Sequence, residues 1–153
     1  MGLEIERKFL VIDDAWQADA DGGTELVQGY LAATPGNSVR VRLAGDGAWL
    51  TVKGAAEGAV RAEFEYPIPL QEAEELLGLC DTIVEKIRYN VESGGRWWEV
   101  DVFAGENAGL VLAEIEIESV DAEVELPRWV GDEVTEDRRF RNSYLAAHPF
   151  ARW

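Results

Sequence analysis

The chain has 153 residues, of which 47% are hydrophobic, including six Trp, five Phe and four Tyr. This composition supplies a hydrophobic core for one domain and excludes an intrinsically disordered chain. Thirty Asp and Glu outweigh 14 Lys and Arg, so the formal net charge is −16. Proteins that bind nucleic acids or anionic membranes are expected to be basic, and the charge therefore disfavours both kinds of partner.

The single cysteine, Cys80, cannot form an intramolecular disulfide or a thiolate metal cluster. The first ten residues, MGLEIERKFL, carry charges where a signal peptide has its apolar run, and no stretch of 18 apolar residues occurs anywhere. These features predict a cytoplasmic protein. No repeat or linker divides the sequence, so we expect one domain over residues 1–153.

Most of the chain alternates between apolar and polar residues with a period of two, which predicts short β-strands. Turn-rich segments at 34–37, 45–47 and 93–95 are short enough to join strands as hairpins. In chain order, the predicted strands cover residues 3–12, 25–33, 38–44, 48–54, 60–68, 83–93, 96–104 and 110–119. Eight strands in one small domain indicate a mainly β fold, an antiparallel sandwich or barrel.

Three short helices complete the predicted elements. Residues 13–18 form one or two turns capped by an Asp. A longer helix follows Pro69, has acidic residues in its first turn and ends at Gly78. The last helix runs from about Asn142 to Ala147 and stops before Pro149.

Residues two apart in a strand share a face, so each predicted strand divides into two rows. In all but one strand, one row is charged and the other is apolar. Carboxylates cluster at positions 4 and 6, 63 and 65, 99 and 101, and 114, 116 and 118, and cations cluster at 40 and 42 and at 86 and 88. Like charges two apart on one face repel each other. The clustering therefore favours charged rows that line a closed lumen, although alternation alone also allows charged rows in solvent.

All three lysines of the chain, Lys8, Lys53 and Lys86, fall in these charged rows. Carboxylate oxygens are preferred ligands of Mg²⁺ and Mn²⁺, whereas lysine and arginine bind phosphate oxygens. A lumen that contains both groups suits metal-assisted chemistry on a polyphosphate, because the metal and the cations together neutralise the phosphate charge.

Eight short motifs follow one another along nearly the whole chain. They are Glu4-Ile5-Glu6-Arg7-Lys8, Gln28-Gly29-Tyr30-Leu31, Arg40 with Arg42, Leu50-Thr51-Val52-Lys53-Gly54, Arg61 with Glu63 and Glu65, Lys86-Ile87-Arg88-Tyr89, Trp98-Glu99-Val100-Asp101, and Ala113-Glu114-Ile115-Glu116. One E-x-E-x-K motif is weakly specific, but eight motifs in the expected order are specific. The chain resembles the CYTH superfamily, the triphosphate tunnel metalloenzymes, and is most similar to the small bacterial inorganic tripolyphosphatases.

The resemblance implies an eight-stranded antiparallel β-barrel tunnel, with a few short helices packed outside and a C-terminal helix. It also implies that the tunnel binds a linear triphosphate and uses Mg²⁺ or Mn²⁺. The carboxylates that match the metal-binding residues are Glu4, Glu6, Glu63, Glu65, Asp101, Glu114 and Glu116. The cations that match the phosphate-binding residues are Lys8, Arg40, Arg42, Lys53, Lys86 and Arg88, together with Arg138 or Arg139 in the C-terminal segment.

In the tripolyphosphatases that this chain resembles, a Lys and Tyr pair is thought to prepare the attacking water. The matching residues are Lys8 and Tyr30. A lysine that has lost its proton can act as a general base. The other role open to Lys8 is that of one more phosphate-binding cation.

The resemblance predicts hydrolysis of tripolyphosphate to pyrophosphate and phosphate. Alternatives with the same site are thiamine or nucleoside triphosphatase and an adenylate cyclase of the class IV type, for which the sequence shows no adenine pocket. A non-enzymatic polyphosphate-binding module is disfavoured, since acids beside an anion help binding only when metals are present. We expect a small-molecule triphosphate as partner, no nucleic acid and no membrane, and apolar outer strand faces favour a homodimer.

Overall fold

In the computed structural model, which describes residues 2–153, eight antiparallel strands close into a barrel. The strands are Leu3–Val11 (β1), Thr24–Ala33 (β2), Asn37–Ala44 (β3), Gly47–Gly54 (β4), Val60–Pro67 (β5), Ile83–Ser93 (β6), Arg96–Phe103 (β7) and Val111–Glu116 (β8). Neighbouring strands pair in the order β5-β4-β3-β2-β6-β7-β8-β1, and β1 pairs again with β5. The predicted antiparallel barrel is confirmed, and each strand begins and ends within three residues of its predicted limits.

The barrel closes along a short seam between β1 and β5. The pairs that form this seam are Leu3 with Ala62, Glu4 with Arg61, and Ile5 with Val60. Farther along β1, a ninth strand, Val130–Glu133 (β9), takes the place of β5 beside it. The sequence did not predict β9, because Val-Gly-Asp-Glu shows no alternation and becomes a strand only by pairing with β1.

The helices are short, and their residues are Ala15–Asp19 (3₁₀), Leu70–Leu77 (α1), Gly105–Asn107 (3₁₀), Arg138–Phe140 (3₁₀), Asn142–Ala147 (α2) and Phe150–Arg152 (3₁₀). All three predicted helices are present. The first is a 3₁₀ helix, at whose start the Asp13 carboxylate accepts a hydrogen bond from the Ala15 backbone N–H. Within residues 2–153, no helix has the length and apolar character needed to cross a membrane.

Much of the apolar outer surface of the barrel is covered by the connections between strands. Ala73 of α1 packs with Val41 and Ala48 on the outer rows of β3 and β4. On the opposite side, Trp16 and Trp129 bury the outer rows around Trp98. By contrast, Leu3, Phe64 and Tyr66 on β1 and β5 remain 60%, 47% and 53% exposed.

One end of the barrel is closed by α2. Leu145 of this helix is fully buried and belongs to a cluster with Val84, Phe103 and Leu112. These three strand residues lie in the same inward rows as the predicted site residues Lys86, Asp101 and Glu114. The C-terminal helix α2 packs against the inner rows and not against the outside of the barrel, because the lumen is apolar at this end.

Candidate active site

The inner rows of the barrel line a polar cavity of about 240 Å³. The predicted site residues that contribute to its wall are Glu4, Glu6, Lys8, Tyr30, Arg40, Arg42, Lys53, Glu63, Glu65, Lys86, Arg88, Glu114 and Glu116. Arg61, Glu99, Arg141 and Asn142 also line the cavity. The charged rows therefore do face a lumen, because barrel closure turns the apolar rows outward.

A carboxylate cluster forms where β1, β7 and β8 meet. Oxygen atoms of Glu6, Glu99 and Glu114 all lie within 4.8 Å of one another. Lys8 Nζ lies 3.5 Å from Glu114, and Arg88 lies 3.1 Å from Glu99 and 3.7 Å from Glu114. Among the ion pairs of residues 2–153, none includes Glu6.

The half-buried carboxylate of Glu6 and the buried carboxylate of Glu114 differ in their electrostatics. Burial, followed by the nearby charges of Glu114 and Glu4, raises the pKa of Glu6 well above its usual value. Burial acts in the same direction on Glu114, but Lys8 and Arg88 outweigh it and hold the pKa of that carboxyl well below its usual value. A cation beside Glu6 would relieve this repulsion. Three clustered carboxylates are also the oxygen donor set that a hard divalent ion prefers, so these residues fit a metal site.

A second group of acids contacts cations directly. Lys53 Nζ lies 3.2 Å from both Glu4 and Glu63. Burial raises the pKa of Glu4 to about 7, even though Lys53 acts in the opposite direction. Glu65 accepts a hydrogen bond of 3.0 Å from Thr51 and lies 3.8 Å from Arg40. These carboxylates therefore have cations within 4 Å, whereas Glu6 forms no ion pair within residues 2–153.

Asp101 does not line the cavity, and its side chain is fully buried beneath the cations. One of its oxygens accepts a hydrogen bond of 2.7 Å from Lys86 Nζ, and both oxygens accept bonds from the Arg88 guanidinium. Both oxygens of Asp101 are thus engaged by the two cations, and its role as a metal ligand stays a prediction.

The opposite wall of the cavity is cationic. Burial, with the nearby charges of Arg40 and Arg88, lowers the pKa of Arg42 to about 10. Burial likewise lowers the pKa of Lys86 to about 7, despite the attraction of Asp101. Arg40 is 7% exposed, and its buried Nε has no hydrogen-bond partner in the described part of the chain. Buried donors of this kind are normally satisfied, so the wall is built to receive an anion.

The predicted catalytic pair, Lys8 and Tyr30, lines the same cavity. Lys8 Nζ donates a 3.0 Å hydrogen bond to the backbone oxygen of Phe140. The Tyr30 hydroxyl accepts a 3.3 Å bond from Gln28 Nε2. The C-terminal segment therefore helps to hold Lys8, and β2 holds Tyr30.

Neither predicted C-terminal cation lines the cavity. Arg139 pairs with Asp137 at 2.7 Å, and its guanidinium lies over the ring of Trp153. The position at the cavity belongs instead to Arg141, whose pKa is lowered by burial and by the charges of Arg61 and Arg138. Of these C-terminal arginines only Arg141 lines the cavity, because the backbone turns at the 3₁₀ helix Arg138–Phe140 before it reaches the barrel, and phosphate binding by Arg138 or Arg139 stays a prediction.

A profile of the CYTH domain matches residues 2–145. The chain belongs to the CYTH domain family. An inorganic triphosphatase of Acetivibrio thermocellus is 47% identical over 98% of this chain and 97% of its own length. An inorganic triphosphatase of Nitrosomonas europaea is 41% identical over 94% of this chain and 96% of its own length.

The CYTH fold is also matched by solved structures. A crystal structure of an inorganic triphosphatase has a TM-score of 0.67 and 38% identity, and the match covers 94% of this chain and 93% of the other. A protein from Pyrococcus horikoshii has a TM-score of 0.61 at 21% identity over 77% of this chain and 80% of its own, which is a likeness of fold alone. The resemblance to the CYTH superfamily and its inorganic triphosphatases, which the eight motifs indicated, is confirmed.

Several residues that line the barrel cavity were not assigned to the site from the sequence. Glu99 and Arg61 share the inward rows of their neighbours, so strand parity was a signal for both. Arg141 and Asn142 lie between and within short helices, where no period-two pattern exists. Only the return of the C-terminal segment to the barrel brings these two residues to the cavity.

Proposed function

We propose that this CYTH protein hydrolyses inorganic tripolyphosphate to pyrophosphate and phosphate with the help of a divalent metal ion. The observation that carries the proposal is a single cavity with a buried cationic wall, including the unpartnered Nε of Arg40, opposite clustered carboxylates. The names of the two relatives, both inorganic triphosphatases, support the same substrate class.

We propose Mg²⁺ or Mn²⁺ as the cofactor, held by Glu6, Glu114 and Glu116, with Glu99 as an addition suggested by the geometry. When bound, such an ion neutralises charge on the phosphate oxygens and orients the attacking water. Glu4, Glu63 and Glu65 are proposed ligands of a second ion. Lys53 and Arg40 now lie near these acids, and phosphate oxygens would compete for both cations.

The triphosphate is proposed to lie along the cationic wall. Its oxygens would accept hydrogen bonds from Arg40, Arg42, Lys53, Lys86 and Arg88. Asp101 is proposed to position two of these cations, because it bonds to both Lys86 and Arg88. Arg138 and Arg141 are proposed to add positive charge near the cavity. A cationic wall that is built before the substrate arrives lowers the cost of organising charge during the reaction.

In the proposed reaction, water attacks the terminal phosphorus in line with the anhydride bond. A new phosphorus–oxygen bond forms, the anhydride bond breaks, and pyrophosphate leaves. Lys8 is the proposed base that accepts the proton of the attacking water, and the Tyr30 hydroxyl orients that water. The Phe140 carbonyl holds Lys8 Nζ at the cavity wall.

An assay with three substrates and two metals tests the proposed function. We expect tripolyphosphate to be hydrolysed faster than ATP or thiamine triphosphate with Mg²⁺ or Mn²⁺, and we expect removal of metal by EDTA to abolish turnover. Released phosphate, pyrophosphate and cyclic AMP are measured together. Cyclic AMP as the main product from ATP, or undiminished hydrolysis in EDTA, would contradict the proposal.

We also propose that the protein is a cytoplasmic homodimer. A lone cysteine, Cys80, is compatible with the reducing cytoplasm.

The exposed row of Leu3, Phe64 and Tyr66 is the proposed dimer surface, since apolar patches of this kind mark interfaces. Sedimentation of the wild type is expected to give twice the 17.0 kDa mass of one chain. Phe64→Lys is expected to give the mass of one chain, whereas the control Leu79→Lys, at an exposed site elsewhere, is expected to stay a dimer. A monomeric wild type would contradict this proposal.

A further inference from the structure

The first residue of α2, Asn142, reaches into the cavity and joins two of its walls. Its Oδ1 accepts a 2.8 Å hydrogen bond from Lys86 Nζ on β6. The same oxygen accepts a 3.1 Å bond from Gln28 Nε2 on β2. The Asp101 carboxylate, 2.7 Å from Lys86 Nζ, favours the ammonium form of Lys86. An ammonium can only donate, so the atom of Asn142 that faces it is the amide oxygen.

The contact continues through Gln28 to a second cation. Gln28 is fully buried, and its Oε1 accepts a 2.9 Å hydrogen bond from Arg42 Nε on β3. A guanidinium also only donates, so the orientation of the Gln28 amide is determined as well. One oxygen atom of α2 therefore links the Lys86 ammonium directly, and the Arg42 guanidinium through Gln28.

Lys86 shows why such a link matters for an anion. Its ammonium has three donor hydrogens, is 2% exposed, and uses two donors on Asp101 and Asn142. The third donor remains for the cavity that Lys86 lines. Without the Asn142 acceptor, the ammonium can rotate to satisfy its donors elsewhere, and the donor aimed at the cavity is no longer held in one direction.

We infer that Asn142 is a positioning residue for phosphate binding, which orients Lys86 directly and Arg42 through Gln28. The inference rests on the proposed binding of triphosphate by these two cations. It makes α2 part of the binding site, and not only the helix that closes one end of the barrel. A misplacement of about 1 Å in such a site can lower activity by about 100-fold.

A double-mutant cycle separates positioning of Lys86 from a purely structural role of α2. The variants are Asn142→Leu, Lys86→Met and the combination of both, assayed on tripolyphosphate with Mg²⁺. We expect Asn142→Leu alone to lower kcat/KM by about 100-fold, mainly through KM. In the Lys86→Met background the same change is expected to cost at least ten-fold less, because the residue that Asn142 orients directly is already absent and only the indirect link to Arg42 is left.

The control is Tyr144→Phe, in the same helix, whose ring stacks on His148 away from the cavity. We expect this variant to keep the wild-type kcat/KM. If Asn142→Leu does not fold, Asn142→Ala removes the same acceptor and carries the same cycle. An equal loss in both Lys86 backgrounds, or no loss at all, would overturn the inference. Failure of the proposed function itself is distinguishable, since the wild type and Tyr144→Phe would then be inactive on tripolyphosphate.

Discussion

Replacement of Glu6 by Gln is expected to lower metal-dependent hydrolysis by at least about 100-fold and to raise the melting temperature of the metal-free protein. The activity falls because a proposed metal ligand is lost. The stability rises because Glu6 lies beside Glu99 and Glu114, forms no ion pair within residues 2–153, and has a pKa raised by burial. For a chain of this size, each kcal/mol moves the melting temperature by about 2–4 °C.

The matched variant Glu114→Gln is expected to lose activity to a similar extent but to melt at a lower temperature. Lys8 and Arg88 hold the pKa of Glu114 below its usual value, so its charge stabilises the fold. Glu118→Gln is the control, because that carboxylate is 69% exposed and pairs with Arg96 on the surface. Melting curves in EDTA and kcat/KM in Mg²⁺ check all three variants. Equal stability changes for Glu6→Gln and Glu114→Gln would show that the two carboxylates do not differ as described.

The raised pKa values of Glu4 and Glu6 predict how pH affects the stability of the metal-free protein. The pKa of Glu4 is raised to about 7 from the model-compound value of 4.5, and the pKa of Glu6 is raised in the same direction. In this range the folded state holds more protons than the unfolded state, so the free energy of unfolding decreases as pH rises from 4.5 to about 7. Glu6→Gln is expected to weaken this dependence, measured by denaturant unfolding in EDTA.

Replacement of Lys8 by Arg is expected to lower kcat by about 100-fold or more, although the positive charge is retained. An arginine cannot lose its proton at neutral pH, and proton transfer by a positioned base typically contributes about 10²–10⁴-fold. Lys8 lines the cavity, and its Nζ is held there by a hydrogen bond to the Phe140 carbonyl.

The comparison is Lys53→Arg, the same substitution at a proposed phosphate-binding lysine between Glu4 and Glu63. We expect this variant to lose no more than about ten-fold in kcat/KM, because arginine also binds phosphate oxygens. Steady-state kinetics with tripolyphosphate and Mg²⁺ measure both variants. If Lys8→Arg kept kcat within ten-fold of the wild type, Lys8 would be a phosphate-binding cation and not the base.

Strand parity accounts for most of the cavity wall that was predicted from the sequence. Glu4, Glu6 and Lys8 lie two apart on β1, and all three line the cavity. The same rule does not distinguish Glu99 from Asp101, which lie in one inward row. Glu99 faces the carboxylate cluster, whereas Asp101 lies beneath Lys86 and Arg88. Position along the barrel decides between these roles, and parity carries no information about it.

The C-terminal part of the site could not be predicted from its pattern. Residues 130–147 contain a four-residue strand, a 3₁₀ helix and a short α-helix, so no period extends over enough residues to identify a face. The sequence pattern therefore gives no reason to prefer Arg139 or Arg141 as a site residue, although of these two only Arg141 lines the cavity. The packing of Leu145 against the inner apolar row determines which of the two reaches the site.

The −16 charge and the alternation of the strands were sufficient to determine an acidic protein with eight strands and charged rows, but they left open whether those rows face solvent or a lumen. These are local properties, because parity depends only on neighbouring residues. The tertiary structure alone decided which charges pair with each other and which face a ligand. Glu6 forms no ion pair within residues 2–153, Asp101 is engaged by two cations, and Asn142 joins the site from the far end of the chain. Such contacts depend on distances across a closed barrel, and sequence spacing does not specify those distances.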